Sequence, residues 1–237
     1  MRFTFANEPE GFDVHINNSI RGYSELWTDV VKMSDYFVSE ESLIIDIGCS
    51  TGKMLVAMAE RAHDKNLDPV HCLGFEVEED FRQPLADNFL NSTINTSDAV
   101  TLGVKMEDIA NFDFSKLPYG ISYATSIFTL QFIQKEKRQK IIREIYNNMK
   151  VGGAFVFAEK VYSPNAQLQD VMTFMHYDHK SKNFSAEEIL NKERTLRNML
   201  RPNTREELED MIGKAGFTSV QPFWQNYNFV GYICIKT

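Results

Sequence analysis

From residue 24 onward the chain alternates short runs of β-branched and aromatic residues with longer stretches whose apolar positions recur every three or four residues. A strand buried on both faces reads as a short apolar run, whereas a helix packed on that sheet shows a single apolar stripe. The alternation predicts βαβ units wound around a parallel sheet. "LIID" (43–46), "VHCLGF" (70–75), "DAVTLGV" (98–104), "ISYATSIF" (121–128) and "AFVFAEK" (154–160) are the five expected parallel strands. Helices are expected over 52–63, over 78–90 with an interruption near Pro84, and over 135–149, where Ile141, Ile142 and Ile145 share a side. Gly152 and Gly153 are expected to end that last helix.

Residues 164–201 read as mostly helical and polar and are longer than a simple crossover, so they are expected to form an insertion over the sheet edge. Residues 1–38 are expected to form an N-terminal helical cover. A helix over 204–215, stopped by Gly216, precedes "FTSVQPFW" and "NFVGYICIK". Too few residues join these two runs for a crossover, so the pair should be antiparallel. The expected fold is one α/β domain with a Rossmann-like seven-stranded sheet, five parallel strands plus a C-terminal antiparallel hairpin, flanked by helices. The helical insertion falls before the last helix.

Composition narrows the function classes. With 43% hydrophobic residues in a chain of 237, a single large core is available. The 33 acidic against 25 basic residues leave a net charge of −8, which repels polyphosphate and argues against direct binding of nucleic acid. Three cysteines, Cys49, Cys72 and Cys234, are odd in number and far apart, so neither a disulfide framework nor a zinc site is expected, and a reducing cytoplasm is. The start "MRFTFANEPEG" lacks the features of a signal peptide, and no apolar run is long enough to span a bilayer. A soluble protein without a membrane partner is expected.

The candidate chemistry centres on "IIDIGCSTGKM" (44–54). A P-loop needs four residues between its glycines and a Ser or Thr after the lysine; Gly48 and Gly52 enclose three, and Met54 follows Lys53. A dinucleotide turn needs a second glycine where Ser50 stands. What remains, an acid followed by G-x-x-x-G, resembles the first motif of class I S-adenosylmethionine (SAM) dependent transferases. In such a turn Gly48 lets the chain pass the methionyl part of the ligand without a side-chain clash. Asp46 orients the turn or accepts from the ligand's ammonium, and Glu76, at the tip of the second strand, can accept from ribose hydroxyls. Lys53 reads as a solvated helix residue.

Further segments carry a closer resemblance: "IRGYS" (20–24), "DIGCSTG", "IFTLQFI" (127–133), "EIYNNMKVGGAFVFAEK" (144–160), "MHYDHKSKNFSAEEILNKER" (175–194), "KAGF" (214–217) and "FWQNYNFVG" (223–231). On these the chain resembles the carboxy-SAM synthases over almost everything after residue 12. The resemblance implies a homodimer that uses SAM and prephenate to make carboxy-SAM and phenylpyruvate, the product serving to modify wobble uridines in tRNA. In the implied chemistry the sulfonium methyl loses a proton and captures the carbon dioxide released from prephenate. SAM or carboxy-SAM is therefore the implied cofactor, and no metal is.

Carried over by position, Tyr23 matches the family's N-terminal cofactor contact, and Gly48, Cys49 and Ser50 match its "GCS" turn, with Gly52 closing it. Glu76 stands where the family has Asp, followed by Val77. The family's adenine-side pair falls on Lys105 and Met106, with Asp108 nearby as a replacement contact, and Ile127 stands where the family has Asn. The family's carboxylate-binding arginine aligns without a gap on Glu193, and with a one-residue insertion on Arg194; Arg197 and Arg201 are substitutes in the same segment. Tyr23 and Arg194 are the expected catalytic pair. Two alternatives stay open: a SAM-dependent methyltransferase acting on a small acidic substrate, and a SAM-binding homologue without turnover.

Other candidates have plainer readings. His176 and His179 have a spacing that suits a metal, but no third ligand is evident, so substrate-pocket or packing roles are expected. Cys49 lacks a base partner and reads as packing. Phe223, Tyr227 and Phe229 read as core or dimer contacts rather than base-stacking groups, and the basic run 134–140 reads as a solvated face.

Overall fold

The computed structural model describes residues 4–8, 10–94 and 98–237. Among these residues eight strands form: β1 (Ser42–Ile47), β2 (Val70–Phe75), β3 (Val100–Lys105), β4 (Ile121–Ile127), β5 (Met149–Tyr162), β6 (Asn203–Thr204), β7 (Ser219–Asn226) and β8 (Phe229–Ile235). The sheet order is β3-β2-β1-β4-β5-β8-β7, with the two-residue β6 beside the end of β5. β1 to β5 run parallel, and β8 pairs antiparallel with both β5 and β7. The expected five parallel strands and antiparallel hairpin are present, and β6 makes eight strands rather than seven. Two residues carry no periodicity, so nothing in the pattern announces β6.

Helices cover both faces. α2 (Tyr23–Met33) and α3 (Lys53–Asp64) lie on one side, and α5 (Lys135–Asn148) and α8 (Arg205–Ala215) on the other. Strand alternation accounts for the partition: Ile44 packs with the α2 and α3 side chains, whereas Leu43, Ile45 and Ile47 pack with Ile141, Ile145 and Ile212. α1 (Phe12–Ser19) and α2 form the N-terminal cover, of which residues 1–3 and 9 lie outside the described residues. Leu26 and Val30 of α2 are fully buried. The insertion is a helix pair, α6 (Ala166–Lys180) and α7 (Ala186–Met199), and α4 (Arg82–Leu90) follows β2. Ser185 with Glu188 and Thr204 with Glu207 form reciprocal caps that start α7 and α8. No helix among the described residues is long and apolar enough to cross a membrane.

Three local expectations are corrected. Pro84 does not interrupt a helix: α4 begins at Arg82, which puts the proline in the first turn, where a backbone N–H has no helical partner to lose. Gly152 and Gly153 lie within β5 rather than ending α5, which stops at Asn148. The β4–β5 register shifts between Ile121 and Tyr123, and Gly152, at φ +81°, takes up the irregularity. Arg138, within the run expected to be solvated, is only 1% exposed. Its guanidinium donates to the carbonyls of Ile133 (2.8 Å), Gln131 (3.2 Å) and Arg201 (2.6 Å) and to the Asn203 side chain, so its burial satisfies backbone acceptors.

The cover is tied to the sheet by a buried bond from the Tyr123 hydroxyl to the Val30 carbonyl at 2.7 Å. Tyr123→Phe keeps the ring packing and removes only this donor, so urea denaturation should register a loss of about 1 kcal/mol. An unchanged midpoint would show that the cover is held by apolar packing alone.

Candidate functional site

The strand order reverses at β1, between β2 and β4, and a cavity of about 520 Å³ opens at the carboxyl ends of these strands. Open α/β sheets bind ligands at this switch point. The cover helices and the α6–α7 pair supply the rest of its wall.

The turn after β1 is shaped for close approach. Gly48 sits at φ +71°, and a Cβ there would fall 2.2 Å from Thr129 Oγ1. The amides of Gly48 (2.8 Å) and Cys49 (3.1 Å) both donate to the Phe75 carbonyl at the end of β2. Ser50 and Phe128 adopt positive φ of 46° and 57°, an uncommon conformation, and both line the cavity.

Glu76 is 6% exposed, and its carboxylate accepts the amides of Ser50 (2.9 Å), Val77 (2.8 Å) and Glu78 (2.9 Å). A carboxylate has roughly four lone-pair directions, so about one remains for a ribose hydroxyl. Asp46 is 4% exposed and accepts from Thr125 Oγ1 at 2.7 Å. Burial lifts its carboxyl to about 7, partly opposed by the Thr125 bond and reinforced by the Glu76 charge. Burial also raises Glu76, and its amide bonds pull it back. Two enclosed acids that repel each other favour a ligand bearing positive charge, which SAM does at its sulfonium and ammonium. The donor set therefore fits this cofactor.

The structure brings Tyr23, Asp46, Gly48, Cys49, Ser50 and Glu76 to the cavity wall, with Val77, Asp108 and Ile127. Burial, then the Asp13 and Asp46 charges, holds the Tyr23 hydroxyl in its neutral form. Burial likewise raises the Cys49 thiol well above its ordinary value, which agrees with a packing role. The Asp108 carboxylate is engaged by the Ala110 amide (2.9 Å) and by Lys137 (3.4 Å).

Three expected site residues stand elsewhere. Gly52, at φ +76°, precedes α3 and is pressed against Leu85 and Phe89, where it serves the turn without lining the cavity. Met106 packs with Cys49, Phe81 and Leu85. Arg194 is exposed on α7 and donates to Asn191, while the preceding residue, Glu193, lines the cavity. One helical residue turns a side chain by about 100°, which is why the gap-free position faces inward and its neighbour outward.

The cavity also contains groups that the sequence did not single out. Asp13 of α1 pairs with Lys53 at 2.8 Å and accepts from Thr51 at 3.1 Å, so Lys53 is anchored rather than simply solvated. Lys160, Lys180 and Lys192 line the end nearest α6 and α7. Among the aromatics, Phe229 lines the cavity and Phe223 is half-buried, whereas Tyr227 lies in the β7–β8 turn beneath the Arg21 guanidinium, 5.5 Å from the ring centre. His176 and His179 separate: His176 lines the cavity and His179 does not.

The reversed strand order, the parallel sheet with an antiparallel C-terminal pair, and the glycine turn flanked by two acids define a class I SAM-dependent transferase scaffold. Solved structures agree on the fold. A SAM-dependent methyltransferase from Methanosarcina mazei superposes with a TM-score of 0.58 at 14% identity, covering 86% of this chain and 96% of that one. Magnesium protoporphyrin IX methyltransferase from Synechocystis PCC 6803, with S-adenosylhomocysteine bound, gives 0.57 at 12% identity, covering 94% and 87%. Full-length sequence relatives are more specific. Carboxy-S-adenosyl-L-methionine synthase of Staphylococcus epidermidis is 30% identical over 239 residues, 99% of this chain and 97% of the relative. The synthase of Nautilia profundicola is 32% identical over 240 residues, covering 99% and 95%. The chain belongs to the carboxy-SAM synthase family and is a SAM-dependent transferase. No profile of a known protein family matches it.

The Asp46 environment has a measurable consequence. Because burial raises this carboxyl to about 7 from the ordinary 3.8, the folded chain holds its proton more tightly than the unfolded chain. Its contribution to stability is complete below 3.8 and is lost as pH rises through about 7. The melting temperature of Asp46→Asn should therefore gain on that of the wild type across this interval, measured without ligand. Parallel profiles would show that Asp46 ionises normally.

Proposed function

We propose that this chain converts SAM and prephenate to carboxy-SAM and phenylpyruvate. The observation that carries the reading is the pair of buried acids, Asp46 and Glu76, at a switch-point cavity in a chain that matches carboxy-SAM synthases along its whole length. Bound there, SAM supplies the methyl carbon that receives the carboxyl group. One hydrogen of that methyl is replaced. In that replacement the acid's carbon–carbon bond to the transferred carboxyl and its carbon–hydroxyl bond both break, leaving phenylpyruvate, and the released hydroxide and the displaced methyl proton make one water.

The chain's own contribution is binding, orientation and exclusion of water. Asp46 faces the cationic part of the ligand, and Glu76 offers its remaining acceptor to the ribose while its amide bonds keep the Ser50 turn in place. Gly48 lets the bend pack against Thr129 at the cavity wall, and Phe128 and Ile127 supply an apolar surface. In such an enclosure fixed dipoles act more strongly than in water. The neutral Tyr23 hydroxyl is a donor available at the same wall.

The same reading includes a homodimer, to which the exposed apolar residues Leu168, Val171, Phe174 and Leu190 of the insertion lend support. It also places the chain in the cytoplasm, its product serving tRNA wobble-uridine modification by another protein; the net charge of −8 disfavours direct RNA binding. A second reading, methyl transfer to a small acid, draws on one observation, the presence of Glu193 in the cavity where the family has arginine.

Mass spectrometry of the nucleoside formed from SAM and prephenate separates the two. A product heavier than SAM by one carboxyl in place of hydrogen is expected; S-adenosylhomocysteine alone would favour methyl transfer. In calorimetry Glu76→Ala should weaken SAM binding by about ten- to a hundredfold, the cost of losing a charged acceptor. Unchanged affinity would remove Glu76 from the cofactor site.

A further inference from the structure

We propose that His176 and Lys180 form a carboxylate-binding subsite at the α6 end of the cavity, where the anionic group of the acid substrate is held. The inference rests on the proposed reading of this cavity as the transfer site, and assigns to its second substrate residues that are not the arginine implied by the family resemblance.

The two side chains are one turn apart on α6, each 4% exposed and each lining the cavity. His176 Nδ1 is buried without a hydrogen-bond partner. Burial, then Lys160 and Lys180, lowers this imidazole to about 3, so it is neutral near pH 7 and retains one ring N–H to give. Among the described residues Lys180 forms no ion pair; its ammonium lies over the Phe184 ring, 5.9 Å from the centre. The surrounding charges do not neutralise it. Lys160 is 3.8 Å from Glu193, and Lys192 pairs with Glu8, so both of these carboxylates are already engaged by other ammonium groups. A buried ammonium without an ion-pair partner is costly unless an anion meets it.

The opposite end of the cavity carries Asp46 and Glu76. The enclosure is thus polarised, with acids for a cationic nucleoside and lysines for an anion. A single carboxylate fits this second end, since it can accept from an ammonium and an imidazole N–H together.

The test is calorimetric titration of the full chain with phenylpyruvate, and with its methyl ester as the uncharged control, in the presence and absence of SAM. The acid should bind more tightly than the ester. Lys180→Gln should weaken binding of the acid by about ten- to a hundredfold while leaving the ester and SAM unaffected. His176→Phe should weaken the acid in the same sense. Glu193→Gln, which removes negative charge from the same end, should tighten the acid, and it keeps the proposal falsifiable if Lys180→Gln folds poorly. Equal binding of acid and ester, or acid affinity indifferent to both Lys180→Gln and Glu193→Gln, would overturn the subsite. Failure of SAM to bind would count against the proposed reaction and leave the acid titration standing.

Discussion

The cavity depends on a carboxylate that no ligand needs to touch. Glu159, 2% exposed at the end of β5, accepts the Leu130 amide at 3.0 Å and so holds the turn that follows β4. That turn carries Thr129, against which the Gly48 bend is fitted, and Phe128, which lines the cavity. Burial raises Glu159 to about 8, while the nearby Arg138 charge pulls it down. Arg138 spends its donors on carbonyls at both ends of the same turn and on the segment returning from the insertion. One buried acid and one buried base thereby position the wall of the site, the exit of α7 and the start of α8. Polar groups buried in this way contribute little net stability compared with apolar packing, but removing either one leaves the buried backbone groups it satisfies unpaired. Their value here lies in fixing geometry.

Enclosure then sets the electrostatics. The sheet supplies its acids at the strand tips, where main-chain amides are free to turn toward them, and Glu76 collects three. The helical insertion supplies cations from its own inward faces, at Lys180 and Lys192, beside Lys160 on β5. Neither element alone encloses a ligand. Packing the cover and the insertion over the sheet edge removes water from between these opposite charges, and removing water is what gives the separation its strength.

Much of this was legible in the sequence, for a physical reason. β-branched runs between periodic helices have few other solutions, so the parallel strands and the closing hairpin follow from patterning, as do Asp46 and Glu76 at strand tips. Groups whose roles depend on partners distant in sequence were not legible. Arg138 looks like one cation in a basic run, and nothing local announces that backbone carbonyls near residues 131 and 201 will enclose it. The glycines at 152 and 153 resemble a helix stop because the signal for a strand irregularity is the same residue type. Pro84 reads as a breaker unless the helix start is known to within two residues, and here that start is at Arg82.

The α7 register shows the same limit at the site itself. Counting residues cannot distinguish Glu193 from Arg194 as the inward group, since the choice is set by how the helix rolls on β5 and α6. With Glu193 inward, its charge lies against Lys160, and the polarity of that end changes by less than the exchange of arginine for glutamate implies. A glutamate beside a lone lysine would repel an anionic substrate; beside several lysines it tempers their attraction. Among the described residues Lys180 forms no ion pair, and the unpartnered His176 nitrogen lies one turn away on the same helix. Anion recognition can therefore pass from one helix of the insertion to the other without any change in the fold that supports it.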